Sequence, residues 1–296
     1  MANTLGGVNM DVIAQQSLDV LQDVLPQLRV FTTDFSSDIA VAGATVTTRV
    51  PTQQSSGDLS TGYATNAQNV TTTAKQITVG AVTGNVIQFT DEEVSKSSID
   101  LMELFVIPGI NAVANDMMDD ALALVTNANF GAAAFTGAAG DFDADDVADL
   151  AQVLSTAKVP RNGRFLMLKP TYYTALAKDN AIQAAYAFGG SEAIRDNRVP
   201  RVHGMDIVEY TDIPANGENL VGLCGAKQGI IIAARAPAVP SNFGGEIRNI
   251  TDPESGLTLQ LRKWYSEDDG VYRMSIAGMW GVAVGVSGNI KRLVSA

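Results

Sequence analysis

One histidine, one cysteine and a short run of alternating aspartates are the residues of this 296-residue chain whose types could do chemistry. His203 stands alone, so neither a His-based zinc site nor a Ser-His-Asp relay has the second partner that such chemistry needs. Beside Gly204 and ahead of a strand pattern, it reads as a structural or solvated residue. Cys224 lies in an apolar strand pattern, where a thiol behaves as a small hydrophobe rather than a nucleophile. Asp141, Asp143 and Asp145 alternate as calcium-loop ligands do, but the sixth loop position is Asp146 instead of Gly and the twelfth is Gln152 instead of Glu. Asp143 with Asp146 three residues on is a helix N-terminus, which explains these acids without a metal. Gly222 to Lys227 lacks the Gly-Lys-Ser/Thr ending of a phosphate loop and no helix pattern follows it. Gly281 to Gly288 lacks the spacing and the crossover unit of a dinucleotide site. No catalytic, cofactor or metal constellation emerges, and an enzyme is not expected.

The elements that could position a surface are more informative. Thr45 to Thr90 is β-branched and polar, with Val46, Val50, Val70, Ile77, Val79 and Val82 set among Thr, Ser, Gln, Asn and Gly. Between Pro51 and Asn69 the bulky apolar side chains are Leu59 and Tyr63 alone. So long a polar stretch cannot bury a core of its own, and a two-stranded arm is barely stable in water unless it lies on something. The expected support is another copy of the chain. Ahead of the arm, Val12, Ile13, Leu18, Leu21 and Leu25 recur at helical spacing until Pro26. Behind it, Thr90-Asp91-Glu92-Glu93 reads as a helix start, with acids at the positive end of the macrodipole. Pro108 to about Thr126 then carries Ile110, Val113, Ala114, Met117, Ala121, Leu124 and Val125 on one stripe. Such a helix spans about 28 Å. Asp116, Asp119 and Asp120 are expected on its solvated face or against a basic patch of a neighbour.

A Gly/Ala-rich linker, Gly131 to Gly140, precedes alternating helices and strands: a helix after Asp143, a buried strand at Arg164 to Leu168, a helix opened by Pro170, and strands at Asp206 to Tyr210, Leu220 to Cys224 and Gly229 to Ala234. The end returns to antiparallel patterning, with Leu257, Leu259 and Leu261 alternating with polar residues, an acidic turn Ser266-Glu267-Asp268-Asp269-Gly270, and a return strand.

Composition bounds the function classes. Hydrophobic content of 46% and a mean hydropathy of +0.09 supply an ample core, while 18% charged residues is low for a soluble monomer and fits a surface covered by partners. A net charge of -12 argues against a phosphate-gripping face, although a protein can enclose nucleic acid without binding it. One cysteine excludes an internal disulfide framework. The N-terminus shows no basic start or apolar core of a signal peptide, and no run approaches a membrane span.

This order of parts resembles the major capsid proteins of tailed bacteriophages with the Hong Kong 97-like fold. The resemblance is carried by the extended segment Thr45 to Phe89, the helix Pro108 to Thr126, the strand-Pro-helix element from Arg164 to Leu176, and the closing hairpin Leu257 to Trp280. It implies an α+β fold with an N-terminal arm (1–44), an extended β-arm or E-loop (45–90), a peripheral domain with a spine helix (91–140), an axial domain (141–238) and a returning peripheral β-sheet (239–296). It implies pentamers and hexamers closing into an icosahedral shell around double-stranded DNA, in the virion after assembly in the host cytoplasm. Implied partners are many copies of the chain itself, with scaffolding, portal and decoration proteins. A long charged helical region at the N-terminus is missing, which implies a processed chain or a separate scaffolding protein. Two other readings stand: an encapsulin-like nanocompartment of the same fold, and a secreted polymer or adhesin suggested by the Thr/Ser/Asn-rich arm. Some relatives cross-link a Lys of the extended loop to an Asn of the peripheral domain; Lys75 and Asn289 have these types, but no motif surrounds them and cross-linking is not expected. In the family the extended loop and the closing turn lie near subunit junctions. The resemblance therefore makes Arg49, Leu59, Tyr63, Lys75, Glu267, Asp268 and Asp269 candidates for the subunit interface, with the turn acids paired to Arg49 or Lys75 of an adjacent copy.

Overall fold

Alternating β-branched residues build the arm, and longer apolar runs build the strands that are covered on both sides. The computed structural model describes residues 30–34, 45–51, 56, 58–61, 63, 72–96, 101–182, 199, 201–251 and 257–296. The amphipathic stretch Val12 to Leu25 and most of the arm tip lie outside these residues. In chain order the elements are β1 (Thr32–Asp34), β2 (Thr45–Pro51), β3 (Thr72–Thr78), β4 (Thr83–Thr90), α1 (Asp91–Lys96), α2 (Leu101–Ala123), α3 (Asn127–Phe130), β5 (Phe135–Thr136), α4 (Ala144–Thr156), β6 (Arg164–Leu168) and α5 (Pro170–Ala177). They continue with β7 (Asp206–Glu209), β8 (Leu220–Ala226), β9 (Ile230–Arg235), β10 (Glu246–Thr251), β11 (Thr258–Ser266), β12 (Val271–Val284) and β13 (Ile290–Val294).

The first sheet runs β1-β9-β12-β11-β10, with β4 also on β12. Strand β12 is its axle. The first half of β12 pairs antiparallel with β11 on one side (Ser266↔Val271, Gln260↔Ala277) and with β4 on the other (Thr90↔Val271, Thr83↔Gly278), while its second half pairs with β9 (Arg235↔Met279, Ile230↔Val284). Helix α2 lies against this sheet. Its stripe of Ile110, Val113, Ala114, Met117 and Ala121 is buried, as the spacing predicts, with Met118 and Leu122; the helix stops at Ala123, short of the expected Thr126, so buried Val125 and partly buried Leu124 follow it. Each large side chain so buried contributes about 1.5–3 kcal/mol.

The helix begins at Leu101, seven residues before the expected start at Pro108, and runs through that proline. An internal proline costs one backbone bond and about 3 kcal/mol, which the apolar packing of the turns after it outweighs.

The second sheet runs β5-β13-β8-β6-β7, and its central strands β8 and β6 are buried on both faces. Phe165 and Met167 of β6 join the core shared with α2, and Leu166 and Leu168 face the other way into a core with Val147, Leu150 and Leu154 of α4 and Tyr172, Tyr173 and Leu176 of α5. The predicted capping box is present at α4: Asp143 accepts from the Asp146 N–H, and Asp146 accepts from the Asp143 N–H. Pro170 opens α5 as expected.

Strand partners depart from the sequence boundaries in four places. β4, read as arm, is a strand of the first sheet. The Gly/Ala-rich stretch before residue 141 is no loose linker, because β5 pairs with β13 and Phe135 stacks edge-on against Phe142 at 5.0 Å and Tyr172 at 6.4 Å. β9, read with the α/β segment, belongs to the first sheet, and β13, read with the closing sheet, pairs with β8 of the second. A boundary at 140/141 or 238/239 therefore cuts through a sheet. A pleat has one period whichever sheet it joins, so neighbouring strands with similar patterns can be exchanged between sheets.

Candidate functional site

The arm is built from its root outward. β2 and β3 pair antiparallel from Thr45↔Thr78 to Pro51↔Thr72. Ile77 and Val79 are buried with Ile231, Ala233 and Met279 of the first sheet, and Gly80 N–H donates to the Trp280 carbonyl at 2.8 Å. Thr78 passes directly over Gly281: a Cβ there would stand 2.2 Å from the Thr78 carbonyl oxygen. Only glycine admits that approach. Gly80 lies at Trp280 and Thr78 at Gly281, so the arm leaves toward the Val284 end of β12, away from the hairpin turn at Val271.

Farther out, Leu59 is 50% and Tyr63 80% exposed, the two side chains expected to need cover from another copy. Asp58 accepts from the Ser60 N–H at 2.9 Å and holds a local turn between them. Arg49 faces Ala74 and Lys75 faces Thr48 across the hairpin. Lys75 is half-buried.

The acidic turn is at the opposite end of β12. Gly270 adopts a φ of 64° and its N–H donates to the Ser266 carbonyl at 2.9 Å, closing the turn. The three acids are not equivalent. Asp269 accepts from the Ser266 hydroxyl at 3.0 Å and from Arg273 Nη2 at 2.7 Å, and first the Ser266 bond and then Arg273 hold its carboxyl below the ordinary value. Among the described residues no ion pair involves Glu267 or Asp268, and both are exposed. The interface candidacy of the turn therefore concentrates on Glu267 and Asp268, because Asp269 already has a partner four residues on. Asp91 is tied to the same hairpin, its N–H donating to the Gly270 carbonyl at 3.3 Å and its carboxylate accepting from Tyr265 Oη at 2.8 Å.

Sequence reasoning missed an aromatic row beside this turn. Tyr265 and Tyr272 face one another across β11 and β12 with ring centroids 4.7 Å apart, Tyr272 faces Phe89 of β4, and Phe89 meets Phe105 at 5.7 Å. Phe105 and Tyr265 remain partly exposed. Tyr265 and Tyr272 were visible as aromatics flanking the turn, but the juxtaposition with Phe89 required the β4–β12 register.

The groups with reactive side chains are otherwise employed. His203, with a φ of 46°, forms with Gly204 a two-residue turn closed by Val202 and Met205. Burial pushes the Cys224 thiol up to about 12, which leaves it inert. Asp143 is spent on its helix. Asp120 accepts from Trp280 Nε1 at 2.7 Å, so one acid of the long helix is engaged within the subunit instead of being merely solvated. Asn289 is buried. Among the described residues no group of three or more His, Cys, Asp or Glu could hold a metal, and no helix is long and apolar enough to cross a membrane.

No protein-family model and no curated protein matches the sequence. Solved structures do match. The capsid of the cyanophage P-SCSP1u superposes with a TM-score of 0.64 at 15% identity over 90% of this chain and 86% of that one. The mature capsid of bacteriophage PhiM1 follows at 0.58 and 13%, over 90% and 86%. A virus-like particle from Pyrococcus furiosus reaches 0.54 at 10%, over 96% and 98%. At these identities the likeness is one of fold, and the fold is the mixed helix-and-sheet architecture of phage capsid proteins, as the resemblance implied.

Proposed function

We propose that this chain is the major capsid protein of a tailed bacteriophage, a structural and non-enzymatic subunit whose copies close into an icosahedral shell around double-stranded DNA. The observation that carries the reading is the arm: its root is locked into the first sheet through Ile77, Val79 and Gly281, while Leu59 and Tyr63 stand exposed at its far end. A chain that invests a rigid root in an arm with uncovered apolar side chains is completed by a neighbouring copy. In this reading residues 45–80 are the extended loop lying across that neighbour. The first sheet with α2 forms the peripheral part around the spine, and the second sheet with α4 and α5 forms the axial part facing the capsomer centre. Pentamers and hexamers are the assembly units, and scaffolding, portal and decoration proteins are the further partners. DNA is enclosed without base recognition, in keeping with the net charge of -12.

Negative-stain microscopy of the purified protein, with nucleic-acid analysis of particles from infected cells, tests the proposal. Closed shells containing DNA are expected. Small shells filled with a protein cargo would favour a nanocompartment, and filaments would favour a secreted polymer. Deleting Gly57 to Ala67 should leave a soluble, folded subunit that does not close shells; full particle yield from that deletion would remove the role given to the arm.

A further inference from the structure

Helix α2 and the two sheets share one continuous apolar core, in which Val125 and Phe130 lie with Ile213, Leu220 and Phe165. Apolar contact is non-directional and by itself permits a range of angles between the helix and the second sheet. The polar contacts at this joint converge on one short loop, 215–219. Asn216 Nδ2 donates to the carbonyls of Leu122 at 2.9 Å and Val125 at 3.0 Å, capping the C-terminal end of α2. Two residues on, Glu218 accepts from the Asn127 N–H at 3.1 and 2.8 Å, capping the start of α3. The same carboxylate pairs with buried Arg292 of β13, whose Nε donates to the Gly131 carbonyl at 3.0 Å. The loop holds left-handed conformations at Asn216, Gly217 and Asn219 (φ 51°, 69° and 53°), which aim both side chains at the helix ends. Asn219 accepts from the Ser295 N–H at 3.0 Å and joins the loop to the final strand.

We infer that loop 215–219 is an orientation clamp, in which Asn216 and Glu218 are positioning residues that set the angle between the long helix and the second sheet. Hydrogen bonds to specified carbonyls and N–H groups are directional, so they select one angle from the range that the apolar joint allows. The charge-assisted Glu218–Arg292 pair ties that angle to the last strand. If the capsid reading holds, on which this consequence rests, the angle sets the curvature with which copies meet, because a small change in subunit rotation decides whether a repeated contact closes.

The test uses full-length subunits. Cys224 is buried, so labels placed through Asn115→Cys on α2 and Val153→Cys on α4, both exposed, report the distance between the long helix and the helix packed on the second sheet. Pulsed electron resonance should give a narrow distance distribution in the parent and a broadened or shifted one in Asn216→Ala, Asn216→Gly and Glu218→Ala. Asn216→Gly admits the left-handed backbone while removing the whole side chain with its amide, so parent-like behaviour of that variant would overturn the role of the amide. Should Glu218→Ala be insoluble, Glu218→Gln keeps an acceptor for Asn127 and loses the ion pair. Assembled variants should show shells of mixed diameter. Unchanged label distances overturn the clamp, even if assembly suffers. Altered distances with parent-like shells overturn the link to curvature. Parent subunits that never form shells would sink the capsid reading, and the label distances would still decide the clamp.

Discussion

Gly281→Ala places a methyl group where the arm crosses the first sheet. The new Cβ would stand 2.2 Å from the Thr78 carbonyl oxygen, about 1 Å inside ordinary contact, and 3.0 Å from Ile77 Cγ2. Two responses compete. Lifting the arm root off the sheet exposes Ile77 and Val79, at about 1.5–3 kcal/mol each. Tilting the root with strained packing costs about 1–3 kcal/mol in all. Tilting is cheaper, so the arm should stay attached but change direction. With the Gly80–Trp280 hydrogen bond as pivot, the obstructed carbonyl is two residues away, about 7 Å along the strand, and a shift of about 1 Å there is a rotation of about 8°. Carried down the length of β3, about 24 Å, the far end moves by about 3–4 Å. That is enough to miss a close-packed seat on a neighbour. The isolated subunit should melt lower by about 2–4 °C per kcal/mol lost, yet shell yield by electron microscopy should collapse. Gly288→Ala is the control, since a Cβ at Gly288 meets nothing within 4 Å. Normal shells at normal yield from Gly281→Ala, or equal damage from Gly288→Ala, would refute the reasoning.

Two further outcomes are expected. Met117→Asp puts an unpaired charge into the core under the long helix, at a cost of several kcal/mol, and should leave the subunit insoluble, whereas exposed Asp116→Ala should melt within about 1 kcal/mol of the parent; equal damage from both, scored by soluble yield, would show that the buried face is wrongly placed. Asp268→Lys should impair assembly at low salt and recover as salt rises, with Arg49→Glu or Lys75→Glu restoring it, because exposed ion pairs are weak singly and screened by salt; assembly indifferent to salt in Asp268→Lys would show the turn to be solvated, and Asp269→Asn should disturb the hairpin more than the assembly.

Short-range chemistry was legible in the residues alone. The stripe from Ile110 to Val125, the capping pair Asp143 and Asp146, the helix opened by Pro170 and the hairpin closed around Gly270 each depend on side chains within a few positions of one another. The same reading found no partner for His203 and no setting in which Cys224 could react. The order of these parts sufficed for the capsid fold. Pairing and proximity were not legible, because they are settled between residues far apart in the chain. β4 left the arm for β12, and β9 and β13 changed sheets, because a strand's pattern states which faces are apolar and not which edge it joins. The approach of Thr78 to Gly281, the reach of Asn216 to the end of α2 over more than ninety residues of chain, and the row from Tyr265 to Phe105 follow from that long-range choice of partners. The acidic turn shows both levels at once. Its position was plain in Ser266 to Gly270, but which of its acids stays open to a neighbour depended on Arg273 pairing with Asp269 across the turn, one of several arrangements that the spacing allows.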